Sequence, residues 1–496
     1  MDCPNPSRLL LAGLVAAAPL AALAQAPPAD TKEVPLSKVE RKNRVPVSKD
    51  VLRVKLPRPV EASLRNGLGV LVMEDHRFPA VNVQLLIQEA GPIHEPAGQP
   101  GLASVTAQML REGTPSRTSR QLAEELARLG ATLFASASFG SDAATVNASG
   151  MSDNLEEWFA VLADVLVNPS FPGDELAKLK QRLKVQLQQQ RSTPFFLLNE
   201  RFSRAVFGTH PAAVVAATPE SLDALAPEAL ARWHRERYVP QDAILAIAGD
   251  VRAAELMPRL EKWLEGWRRT ELSPVFPPNP QPVSGRKVLI VDRPGSVQTT
   301  LALGNIAIER RDPDYVAVVV MNRVVGGGPA ARLFLNLREE KGYTYGVYSN
   351  FLALKYPGPW RAGGDMRTEV TEGAMTEFLK EIGRIRDEKV PDTELEEAKR
   401  SLVASFALSL EQPTQLLGYA ITRKVYGFPE DYWDTYPIRI MAVTADDVQR
   451  VARRYVDPES LQIVAVGDGG KIRAVMEKYG PVEVYDTEGR LVAADH

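Results

Sequence analysis

Two residue types that build reactive or metal sites are nearly missing. Among 496 residues there is one cysteine, Cys3, and there are five histidines: His76, His94, His210, His234 and His496. Cys3 lies before an apolar N-terminal run, so a chain cut behind that run has no thiol. Disulfides and thiolate-ligated zinc are then both excluded. No histidine lies three or four residues from another, so no helix face carries paired imidazoles. His94-Glu95 reads as a loop, with His94 a surface residue. Positive charge is not in excess either: 59 Lys and Arg stand against 62 Asp and Glu, with no basic block. This argues against a nucleic-acid partner and against a polybasic membrane anchor.

The longest apolar run, "LLLAGLVAAAPLAALA", follows Arg8 and ends at the small-x-small site Ala22-Leu23-Ala24. The pattern is that of a secretory signal, residues 1–24. The run is short and Pro19 breaks it, which argues against a membrane span after signal cleavage. An exported chain of this size without cysteine is expected in a bacterial periplasm.

The rest is 45% hydrophobic and 24% charged over the whole chain, as in soluble globular proteins of more than one domain. Residues 25–48 read as a polar, disordered leader. Residues 270–285, with prolines at 274, 277, 278, 280 and 282, read as a semi-extended linker. It separates two halves, 49–269 and 286–485, and the halves repeat each other. "TPFFLLNERFSRAVFG" matches "QPTQLLGYAITRKVYG", and "RERYVPQDAILAIAGD" matches "ARRYVDPESLQIVAVGD". Within each half, β-branched strands such as "VNVQLLIQEA" alternate with helices. Thr118 and Gln121 form a capping box. Asp153, with Glu156 three residues on, is expected to cap a helix whose stripe is Leu155, Trp158, Phe159, Leu162 and Leu166. The expected class is α+β, two tandem homologous domains, each a mixed sheet with helices on one face.

The segments "EAGPIHEPAGQPGLASVTAQMLREGT", "LARLGATLFASASFGSDAATV" and "VVGGGPAARLFLNLREEKGYTYGVYS" carry a resemblance. With the duplication, the chain resembles the insulinase and mitochondrial-processing-peptidase family of zinc peptidases from about Leu52 to Tyr485. That family's active members carry an inverted H-x-x-E-H helix, with two zinc-binding histidines on one face and a general base between them. By this resemblance the histidine positions are Ser104 and Gln108 here, and the base position is Ala107. The third-ligand glutamate falls at or near Gln186, and no carboxylate lies between Glu175 and Arg191. All four positions are vacated, so no metal is expected in this chain. The helix keeps a core pattern in Leu102, Val105, Met109 and Leu110.

The second half keeps what the resemblance expects of it. Gly326-Gly327-Gly328 is a glycine turn without the Lys-Ser/Thr of a phosphate loop. Arg338 and Tyr345 stand at the spacing of the pair that, in active assemblies, reaches into a zinc domain and holds the substrate's carbonyl region. Tyr343 competes for the tyrosine role. A helix-terminal arginine and an ordinary strand aromatic would explain the same residues. By resemblance Gly327, Gly328, Phe134 and Ala135 are substrate-binding positions. The strand "ATLFASAS" would pair with peptides, but Phe134-Ala135 replaces the family's Asn-Ala and puts that pairing in doubt. Three readings stay open. The first is a zinc-free subunit of an exported heteromeric metallopeptidase, supplying Arg338 and Tyr345 to a homologous exported chain with intact H-x-x-E-H and zinc. The second is a peptide-binding or scaffold protein of the envelope. The third is a peptidase with unorthodox metal ligation.

Overall fold

The computed structural model describes residues 50–271 and 276–492. The signal, the leader, His496 and part of the linker lie outside the described residues. The first half has strands β1 (Val60–Ser63), β2 (Gly69–Glu74), β3 (Ala80–Gln88), β4 (Thr132–Ser136), β5 (Ala143–Met151) and β6 (Ala243–Gly249). Its helices are α1 (Leu102–Met109), α2 (Ser119–Arg128), α3 (Leu155–Val167), α4 (Gly173–Arg191), α5 (Pro194–Phe207), α6 (Pro219–Ala224), α7 (Pro227–Arg237) and α8 (Ala253–Trp263). The second half has β7 (Lys287–Asp292), β8 (Gln298–Ile308), β9 (Thr344–Ala353), β10 (Pro357–Arg367), β11 (Gln462–Gly467) and β12 (Val482–Tyr485). Its helices are α9 (Tyr315–Val325), α10 (Thr371–Asp387), α11 (Asp392–Ser409), α12 (Pro413–Tyr426), α13 (Tyr436–Ala442), α14 (Ala445–Tyr455) and α15 (Gly469–Met476), with a π-helix at Phe334–Glu340.

The strands form two six-stranded sheets, ordered β1-β2-β6-β3-β5-β4 and β12-β7-β11-β8-β10-β9. The orders correspond except at one edge, where an N-terminal strand closes the first sheet and a C-terminal strand closes the second. In both, the repeated "GD" segments form a central strand, β6 or β11, parallel to one neighbour and antiparallel to the other. Along β3 half-buried and buried residues alternate strictly. Val81, Val83, Leu85 and Ile87 therefore meet α1 and α3 in the first core, while Asn82, Gln84 and Leu86 face the other way.

The expected α+β class with two mixed sheets is present, and in each half the helices other than the repeated one build the core on one face of its sheet. The repeated motif is a helix that crosses over: α5 of the first half packs Leu197, Leu198, Phe202 and Val206 on Leu289, Val291, Ala302 and Val464 of the second sheet. In return α12 packs Leu417, Ala420 and Ile421 on Leu71, Met73, Ala246 and Ala248 of the first sheet. Each buried leucine or isoleucine there contributes about 2 kcal/mol, so the crossings hold the halves together. One expectation needs correction: Asp153 does not cap α3. It sits inside a short 3₁₀ turn, Ser152–Asn154, and the N-cap becomes Asn154, which makes no capping bond. The apolar stripe of α3 is buried, and the Thr118–Gln121 box is present.

The ends of the chain reinforce the crossing. Leu56 packs on Phe406, Tyr432 and Trp433 of the second half, and its N–H donates to Asp434 at 2.9 Å. At the other end, Arg201 of α5 lies 3.4 Å from the ring centroid of Tyr485 and donates to the Gly489 carbonyl.

Candidate functional site

Helix α1 carries the vacated positions. It runs from Leu102 to Met109 and tightens into a 3₁₀ turn, Leu110–Glu112, before Gly113. Leu102, Val105, Met109 and Leu110 are buried in the first core. Ser104 and Gln108 are half-buried neighbours one turn apart. The Gln108 amide donates to the Ser104 carbonyl at 3.3 Å and to its hydroxyl at 3.4 Å. Ala107 is fully buried among apolar side chains. Gln186 is exposed on α4.

The start of α1 depends on two residues that the sequence reading passed over. Gly101 has φ +101°, and a Cβ there would lie 2.7 Å from that of Ala217, so glycine is required. The Glu95 carboxylate accepts from Gly101 N at 3.1 Å and from Ala103 N at 2.7 Å, closing the free N–H groups of the helix start. Burial pushes the Glu95 carboxyl up to about 7, against the pull of those two donors. The sequence signal was an acid six residues before a glycine that opens a helix lacking its own cap.

On the edge strand β4, Phe134 is 60% exposed and Ala135 is half-buried. Arg111 lies 5.2 Å from the Phe134 ring centroid and donates to the Leu133 carbonyl at 2.9 Å. One main-chain acceptor of this edge is therefore already engaged.

In the second half the π-helix places Arg338 beside the other edge strand, β9. The Arg338 guanidinium lies 4.5 Å from the Tyr345 ring centroid and 4.7 Å from that of Phe334, geometry that favours cation–π attraction. Phe334 is buried and Tyr345 is 86% exposed. Tyr343 faces inward, packed on the second core beside Gly373. The arginine lies in the last turn of the π-helix, so the helix-terminal placement holds as well as the contact with Tyr345. Asn336, two residues before it, donates to Glu377 and Glu381 of α10, both at 2.8 Å, and Arg332 makes a two-pronged pair with Glu394 of α11. Wide π-turns recur at functional sites, and nothing in the periodicity announces this one. Gly326, Gly327 and Gly328 pack against Ser349 and Arg323, where any Cβ would collide. Arg323 donates to the Gly327 carbonyl. No hydrogen bond, ion pair or ring contact among the described residues joins Ser104 or Gln108 to Arg338 or Tyr345.

Known proteins match this architecture. The model for insulinase (peptidase family M16) matches residues 69–220, and the model for the peptidase M16 inactive domain matches 224–402. The chain belongs to the M16 peptidase family. Among M16 relatives, a Helicobacter pylori protein called "non-peptidase homolog YmxG" is 23% identical over 81% of this chain and 92% of its own. Another from the same organism, "zinc protease PqqE", is 21% identical over 81% of this chain and 90% of its own. The crystal structure of a peptidase M16 inactive domain from Pseudomonas fluorescens superposes with a TM-score of 0.77, at 25% identity, over 83% of this chain and 98% of that one.

M16 chemistry calls for zinc, and this α1 does not fit it. At the positions that the resemblance assigns to the ligands and the base, Ser104 and Gln108 offer a neutral hydroxyl and carboxamide bonded to each other, and Ala107 a methyl. Among the described residues no three His, Cys, Asp or Glu side chains are placed to hold a metal ion. The histidines serve elsewhere. His76 pairs with Asp250 at 2.7 Å. His234 contacts the Leu166 carbonyl at 2.9 Å, and burial pushes it down to about 4. His94, expected on the surface, is buried in a 3₁₀ turn with its ring edge-on to Phe276, because the linker folds back over it. The chain is thus an M16 member without the zinc-ligand set of the family.

Proposed function

We propose that this protein is the zinc-free subunit of an exported, periplasmic heteromeric metallopeptidase. Its partner is a homologous exported chain with an intact H-x-x-E-H helix and its zinc. The substrates are peptides, enclosed between the two chains. The observation that carries the reading is the contact between half-buried Arg338 of the π-helix and exposed Tyr345 of edge strand β9, in a chain whose own α1 carries no histidine, cysteine or carboxylate. A permanently charged guanidinium and a phenol donor suit a carbonyl oxygen that gains negative charge during peptide-bond attack. In the complex these two side chains reach the partner's zinc site. Gly327 and Gly328 shape the turn beside them, and Phe134 and Ala135 line this chain's half of the chamber. That one organism carries both a "non-peptidase homolog" and a "zinc protease" similar to this chain supports the division of labour.

The test is a pull-down of the tagged chain from its own cells, followed by reconstitution. A stoichiometric partner with H-x-x-E-H is expected, and the complex cleaves peptides while this chain alone does not. Arg338→Ala lowers the turnover of the complex by about 10²-fold, in the range of losing one oxyanion donor, without changing assembly. A chain that purifies alone or as a homodimer sinks the proposal in favour of a peptide-binding or scaffold role. Unchanged turnover in the variant removes Arg338 from the chemistry.

A further inference from the structure

The face of the first sheet turned away from α1 is covered by α12 over β2 and β6 and against Leu86 of β3. Asn82 and Gln84 of β3 and the outward residues of β5 and β4 are only half-buried or exposed. Strand register aligns the outward residues of this face in three rows: Asn82, Ser149 and Thr132; Gln84, Asn147 and Phe134; Leu86, Thr145 and Ser136. No charged side chain stands in these rows. Thr132 bonds Ser149 at 2.8 Å and Ser136 bonds Thr145 at 3.1 Å. The carboxamides of Asn82, Gln84 and Asn147 make no hydrogen bond with any described residue. Each therefore offers two donors and an acceptor to a ligand.

A cleft of about 230 Å³ opens on these rows, walled by Thr414 and Leu417 of α12. Gln412, the N-cap of α12, makes no side-chain capping bond; Pro413 has no N–H and the Gln415 and Leu416 amides donate to the Gln412 carbonyl, which leaves the Thr414 N–H as the first-turn donor without a partner in the helix. The exposed Phe134 ring supplies an apolar plane. The related face of the second sheet is built differently. Ala302 and Gly304 admit α5 there, Gly304 against Phe202, and Arg361 is bound by Asn199.

We propose that this cleft binds an uncharged saccharide, one pyranose ring lying against Phe134 with its hydroxyls taken by Asn82, Gln84 and Asn147. The residues lining the cleft carry no charge, and Arg111, 5.2 Å from the Phe134 ring centroid, is engaged at the Leu133 carbonyl, so a charged ligand would find no charged partner in the lining. An extended peptide draws its affinity from main-chain pairing at a strand edge, and a sheet face has none to offer. A polyhydroxyl ring uses donors and acceptors alike, and its C–H face suits an aromatic plane. The site lies on the opposite side of the sheet from α1; it shares Phe134 with the chamber wall of the proposed function, but all of its lining residues belong to this chain.

The test is calorimetric and saturation-transfer titration of the isolated full-length mature chain. The probes are the β-1,4-linked trimer of N-acetylglucosamine, maltotriose and tri-glycine. Saturable binding of at least one trisaccharide is expected. It should weaken about tenfold, or 1.4 kcal/mol, in Phe134→Ala and in Asn147→Asp. Both side chains are exposed, so circular dichroism should show both variants folded. No saturation by either trisaccharide up to about 20 mM, a level at which even millimolar affinity is seen, would overturn the proposal. So would binding that both variants leave unchanged, or binding of tri-glycine alone.

Discussion

Changing Glu95 to glutamine separates two things its carboxylate does at once: it accepts hydrogen bonds from the start of α1, and it places a carboxyl in a buried setting. The direction is set by the folded state, which raises this carboxyl from 4.5 to about 7. Folding then favours the protonated form. The stability that results is fully present below about pH 4.5 and is lost as the pH rises through about 7. At 1.36 kcal/mol for each tenfold change in the acid constant, the loss by pH 8 is about 3 kcal/mol. Glutamine keeps an acceptor oxygen for Gly101 and Ala103 and carries no charge. Glu95→Gln is therefore expected to match the wild type at pH 5 and to exceed it by up to about 3 kcal/mol at pH 8. Glu95→Ala loses the cap and costs about 1–2 kcal/mol at pH 5. Urea unfolding followed by tryptophan fluorescence at pH 5, 6.5 and 8 reads both, and hydrogen exchange at the Ala103 amide reports the helix start locally. If Glu95→Gln is the less stable protein at pH 8, attraction between the carboxylate and the helix N-terminus outweighs burial, and the reasoning fails.

Two further outcomes follow from the packing. Ala107→Glu, which restores the family's general base alone, inserts an unpaired carboxylate into the first core. It is expected to cost more than about 3 kcal/mol, and a thermal melt unchanged from wild type would refute that placement. Asn336→Ala leaves Glu381, only 2% exposed, without its amide donor and frees the π-turn. A loss of about 2 kcal/mol is expected, together with a change in the near-ultraviolet signal of Tyr345 as Arg338 moves. A spectrum identical to wild type would detach Asn336 from the Arg338 geometry.

The first sheet shows why some features were legible. The alternation in "VNVQLLIQEA" and the apolar stripe of α3 are local patterns, and each is reproduced in burial. The duplicated helices were also legible, yet their purpose was not. Leu197 and Leu417 look like residues of their own domain's core, and only the assembled sheets reveal that each packs on the other half. The failed cap at Asp153 has a local cause. A 3₁₀ turn of three residues shifts the helix start, and propensity cannot distinguish that from a direct start.

By itself, the sequence carried the expectation that this M16 chain lacks the family's zinc ligands, because a metal needs particular side chains and Ser104, Ala107 and Gln108, at the positions the resemblance assigns, are not among them. It also determined the duplication and the periodic cores, which residue identity encodes at short range. The tertiary structure alone decided which tyrosine meets Arg338, because Tyr343 and Tyr345 differ by which side of β9 faces the core. It decided that Glu95 caps α1, that the linker buries His94, and that one face of the first sheet stays partly open and neutral. Each of these depends on which distant surface arrives opposite a given side chain, and long-range packing sets that.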